Sequence, residues 1–122
     1  MNVTFFAVDN VLNFEGSEAK APDGTMGIAE SRLKLLKKHT ERNQSKLVLI
    51  GSWKKEWDFD DSKCTGKGTY LNKKLNRKGI HILDKTGNGG TEQEEICEWL
   101  RRHPNVENYD ILTTAEDLLR MD

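Results

Sequence analysis

Asp9 and Asn10 follow the apolar run Thr4-Phe5-Phe6-Ala7-Val8, so a carboxylate and a carboxamide stand where a buried strand would end. In an open α/β sheet that end is where ligands bind. A carboxylate there can hold a cation or a polar ligand, or accept hydrogen bonds from the backbone of its own loop. A lone carboxylate seldom holds Mg²⁺ without a second acidic group or a phosphate, so Asp9 is a weak metal candidate and the structural role is preferred. Asn tolerates left-handed backbone better than most residues, which gives Asn10 a conformational role. A second chemistry is offered by Lys73, Lys74, Arg77 and Lys78, which share one expected helix and can be joined in space by Lys54 and Lys55. Such a set reads either as a footprint for a phosphate backbone or as a solvated helix face. Trp53 and Trp57 flank the two lysines and could stack on bases or anchor a partner; Trp57 is the one expected to be exposed.

Composition narrows the field. The chain has 122 residues, 32% charged and 35% hydrophobic, and a formal net charge of −1. That length suits one domain, 1–122, and the balanced charge gives no overall field toward nucleic acid or an anionic membrane. No apolar run approaches the roughly 20 residues of a membrane helix, and no secretory leader precedes the first apolar block, so a cytoplasmic protein is expected. Cys64 and Cys97 match no disulfide or metal spacing. His39, His81 and His103 are dispersed and receive no role.

The elements that must position these residues follow from periodicity and punctuation. Asn2–Val8, Lys46–Ile50, Ile80–Leu83 and Tyr109–Leu112 read as strands. Leu33, Leu35 and Leu36 among basic residues mark a helix from Ile28; Tyr70, Leu71 and Leu75 mark another, capped by Gly79. Thr91 and Glu94 form a capping-box signature for a helix carrying Ile96, Trp99 and Leu100, and Ala115–Met121 closes the chain as a short helix. Phe14–Gly27, with Pro22-Asp23-Gly24, is a long loop, and Asp58–Gly68 an acidic one. Gly87, Gly89 and Gly90 lack a phosphate-loop pattern, and Glu92 and Glu94 in the following helical turn would repel an anion. Alternating strands and helices imply a single Rossmann-like α/β domain, three layers deep, with a mostly parallel sheet.

Phe5 to Asn13 also resembles the first motif of the haloacid-dehalogenase (HAD) phosphohydrolases, in the small-domain form related to that of RNA-repair proteins. Leu49-Ile50-Gly51-Ser52-Trp53-Lys54 is similar to the second motif of that family, Asp84-Lys85-Thr86 to the block that follows, Glu95 to Leu100 to its third helix, and Tyr109 to Thr114 to its fourth motif. The resemblance implies a HAD-like sheet, here of four strands with the fourth at an edge, and makes residues 14–27 a flap over the site. It places the aspartate nucleophile at Ala7, the acid/base at Asp9, the phosphate-binding hydroxyl at Gly51 beside Ser52, a basic residue at Glu92, and metal-binding carboxylates at Thr113 and Thr114. Trp53 is expected to pack beneath the site.

Asp9, Asn10, Asn13 and Ser52 are therefore the candidate ligand-binding residues, with no confident catalytic residue among them. Lys54, Lys55, Trp57, Lys73, Lys74, Arg77 and Lys78 are the candidate partner surface. The expectation is a catalytically inactive HAD relative, without cofactor, that binds a protein or nucleoprotein partner as an inhibitor or regulator. Alternatives are a Mg²⁺-dependent phosphohydrolase acting on phosphoesters or nucleic-acid ends, and a nucleic-acid-binding module built on the lysine-rich helix. A homodimer through an exposed sheet edge is a further expectation.

Overall fold

Strand β1, Asn2–Phe6, alternates its side chains across the sheet: Val3 and Phe5 face one way, Thr4 and Phe6 the other, and all of them are buried. A strand buried on both faces needs covering layers on both, and the computed structural model, which describes residues 1–120, supplies them. Helix α1 (Glu30–Asn43) leads into β2 (Ser45–Leu49), and short 3-10 turns at Ser52–Glu56 and Asp61–Lys63 lead into α2 (Gly66–Arg77). Strand β3 (Ile82–Lys85), helix α3 (Glu92–Arg102), strand β4 (Asn108–Leu112) and helix α4 (Ala115–Arg120) complete the chain. The expected extension of the last helix to Met121 lies outside the described residues.

The four strands are all parallel, in the order β3-β2-β1-β4. This is the Rossmann-like α/β domain the pattern predicts. One face carries α1, α2 and α4, whose Leu33, Leu36, Leu71, Leu75 and Leu118 pack on Phe6, Leu47, Leu49 and Leu112. On the other face, Ile96 and Trp99 of α3 meet Val3, Phe5, Val48 and Ile50. Among the described residues, no helix is long and apolar enough to cross a membrane.

The third strand begins two residues later than expected. Gly79, at φ 74°, donates its amide to Asn76 O, and Ile80 donates to Leu75 O, so both amides close α2 and neither can open a strand. The strand instead takes in polar Asp84 and Lys85, whose side chains have internal partners: Trp99 Nε1 donates to Asp84 Oδ2 at 2.8 Å, and Lys85 Nζ donates to the carbonyls of Lys54 and Trp57. The helix α2, by contrast, starts earlier than expected, at Gly66, and Gly68 within it packs against the Glu56 carbonyl where a Cβ would lie at 1.8 Å.

Candidate functional site

Beyond β1 the chain stays in the ladder for one more residue: Ala7 donates to Leu112 O at 3.0 Å, and Ile50 donates to Phe6 O at 2.9 Å. The Val8 carbonyl then accepts the amides of Val11 and Leu12, closing a single helical turn, and Asn10 takes φ 69° within it. That turn brings Asp9 and Asn13 face to face at the carboxyl end of the sheet.

The Asp9 carboxylate receives three side-chain donors. Its Oδ1 accepts from Asn13 Nδ2 at 2.9 Å and from Trp53 Nε1 at 3.0 Å, and its Oδ2 accepts from Ser52 Oγ at 3.1 Å. Asn13 is buried, and its Oδ1 accepts the Asn10 amide at 2.9 Å, so carboxylate, carboxamide and left-handed turn form one closed unit. Burial pushes the Asp9 carboxyl up, but the donors Asn13, Trp53 and Ser52, with the charge of Lys67, outweigh it and hold the group below its ordinary range. Lys67 had no signal in the sequence. It lies with Nζ 4.9 Å from the centre of the Trp53 ring and 3.8 Å from Asp23 of the 14–27 loop. That loop is folded on itself by a bridge between Lys20 and Met26, and Tyr70 Oη accepts the Ile28 amide behind it.

The other positions that the resemblance marks have structural partners. Gly51 sits at φ 88°, ψ −169°, a backbone region open essentially to glycine. A Cβ there would find ordinary contact with Ala7, at 3.5 Å, so backbone conformation rather than space excludes a hydroxyl-bearing residue. Thr113 and Thr114 donate their amides to Asp117 Oδ2 at 3.0 and 3.1 Å, capping α4. Those backbone bonds, the one from Thr113 foremost, hold the Asp117 carboxyl below its ordinary range. Among the described residues no three of His, Cys, Asp and Glu converge as metal ligands. The Mg²⁺ that the resemblance implies therefore does not fit: Asp9 stands at the end of β1 with three donors on its oxygens, and the Asp117 carboxylate beyond β4 is taken up by the amides of Thr113 and Thr114.

Two expectations for the partner surface are corrected. Trp57 is buried rather than exposed, because its ring joins the core on the α1 side and its Nε1 donates to Asn72 Oδ1 at 2.8 Å. Lys54 is buried too: its Nζ donates to Thr86 Oγ1 at 3.1 Å, Gly87 O at 2.9 Å and Glu95 Oε1 at 3.0 Å, tying the turn after β2 to the β3–α3 connection and to α3. Such an ion pair is held by desolvated hydrogen bonds and is closed to a partner. Lys55, Lys73 and Arg77 are exposed, while Lys74 and Lys78 reach Glu30 at 3.8 and 2.9 Å. The basic helix is thus separate from Lys54 and partly neutralised.

Sequence reasoning passed over His39. It is buried on α1, its Nε2 2.5 Å from Asp110 Oδ2, while Thr4 Oγ1 donates to Asp110 Oδ1 at 2.8 Å. An isolated histidine on an otherwise apolar helix face carries no signal of a partner 71 residues away.

No family model, curated protein or solved structure matches this chain.

Proposed function

We propose that this chain is a catalytically inactive relative of the HAD phosphohydrolases that acts by binding a protein or nucleoprotein partner, as an inhibitor or regulator. The observation that carries the reading is the state of Asp9. A general acid must hold a proton to deliver, whereas Asn13, Trp53 and Ser52 hold this carboxylate in its ionised form within a unit that shapes its own loop. Ala7 offers no nucleophile beside it, and Thr113 and Thr114 offer no carboxylate for a metal.

A protein partner is favoured over nucleic acid by the fate of the basic set. Lys54 is consumed by Glu95, and Glu30 takes up Lys74 and Lys78, which leaves Lys55, Lys73 and Arg77 as a thin footprint for a phosphate backbone. Turnover of small phosphoesters and of 5′- and 3′-phosphorylated oligonucleotides in Mg²⁺ tests the reading. It predicts no activity above buffer for the wild-type chain. Mg²⁺-dependent turnover that disappears in Asp9→Asn would refute it.

A further inference from the structure

Among the described residues, strand β4 ends the sheet, and two of its residues are open in two independent ways. Parallel pairing alternates which residues direct their backbone groups to a neighbour. Ala7 donating to Leu112 O fixes that alternation: Asn108, Asp110 and Leu112 address β1, so the amides and carbonyls of Tyr109 and Ile111 point away from the sheet. The side chains of the same two residues are 54% and 39% exposed, although their neighbours in register, Val3 and Phe5, are buried under α3. Tyr109 stands edge-on to the Phe5 ring at 6.0 Å, so the apolar surface of that face runs outward past the cover of α3. On the opposite face, between these residues, Asp110 is 30% exposed.

We infer that β4 is a docking edge for an extended segment of a partner protein with the pattern apolar-basic-apolar; this rests on the binding reading above and names its surface and partner chemistry. An added strand would take up the outward amides and carbonyls of Tyr109 and Ile111. Its two apolar side chains would cover Tyr109 and Ile111, and its central residue would lie across from Asp110.

Charge decides between this occupant and a second copy of the chain. A twofold pairing centred on Asp110 is the one that would use both open residues, matching Tyr109 to Ile111 of the copy, but it sets two Asp110 carboxylates directly opposite, which destabilises a strand pair. Centring the twofold on Tyr109 or Ile111 avoids that clash. It then meets Glu107 or Thr113, whose amides are already donated to Met1 O and Asp117 Oδ2. A basic residue on a foreign strand meets Asp110 without either fault. Asp110 itself is held by Thr4 and His39, so the acceptor is fixed in place before a partner arrives.

The test uses the ¹⁵N-labelled full chain and a blocked heptapeptide, Thr-Thr-Val-Lys-Val-Thr-Thr, against the same peptide with Glu at the centre. Titration followed by amide chemical shifts should move Tyr109 and Ile111, with the Lys peptide binding about threefold or more tightly than the Glu peptide. Ile111→Pro removes an outward amide and no internal bond, and it should abolish the shifts while the remaining spectrum shows the fold intact. If that variant fails to fold, N-methylation of the peptide from its first Thr to its last, which removes the donors for either strand direction, makes the same test from the other side. Equal affinity for the two peptides, or no shift at β4, would overturn the proposal, as would a sedimenting dimer erased by Ile111→Pro, which would make a second copy the occupant. An inactive chain that ignores both peptides refutes this surface alone. Mg²⁺-dependent turnover refutes the non-catalytic reading and leaves the peptide result standing.

Discussion

Asn13 and Trp53 decide what Asp9 can do, because each directs a buried donor at the carboxylate. Replacing Asn13 by Ala leaves the Asn10 amide and Asp9 Oδ1 short of a partner, and the expected loss is about 1–3 kcal/mol, read from denaturant midpoints. Trp53→Phe keeps most of the ring and removes only the indole donor, so its cost should be about 1 kcal/mol. The acid dependence follows in sign from the lowered Asp9 carboxyl. Ionised Asp9 contributes fully above its ordinary value, and that contribution is lost as pH falls through the lower folded-state value. Asp9→Asn removes it, so the stability gap between wild type and variant should narrow from about pH 4 downward in urea titrations. Asp9 at a strand end was legible from residue order alone. Its donors were not, since Trp53 lies 44 positions away and reaches the loop only once β1 and β2 pair.

At the scale of elements, local signals were read where local chemistry decides. Thr91 and Glu94 form the reciprocal capping box of α3, and Thr91→Ala should lower stability by about 1 kcal/mol. Gly79 closes α2 as its position suggested. What was not legible depends on which side of an element faces the core. Lys54 and Trp57 look like surface residues in a polar stretch, yet both turn inward, Lys54 within the 3-10 turn Ser52–Glu56 and Trp57 just after it, and the buried ion pair with Glu95 becomes a strut between layers. Removing one partner strands the other, so Glu95→Ala is expected to cost about 3 kcal/mol or more; the double change Lys54→Met with Glu95→Leu should recover most of it.

Over the whole molecule, one parallel sheet with unequal cover leaves one face open at its β4 edge. Among the described residues, three helices close the α1 side and α3 covers the other, leaving Tyr109 and Ile111 exposed on the edge strand β4. Strand-helix alternation made the layer plan readable, while the edge position of β4 was expected from the resemblance alone; the imbalance of cover depends on packing that no local pattern encodes. The account of an inactive binder hinges on the Asp9 carboxylate being part of the fold. A ¹³C-detected pH titration of that carboxyl, run with and without Mg²⁺ and inorganic phosphate, asks this most directly. The account predicts a value below the ordinary 3.8 that neither addition moves. A carboxyl titrating at or above the ordinary value and displaced by Mg²⁺ would contradict it.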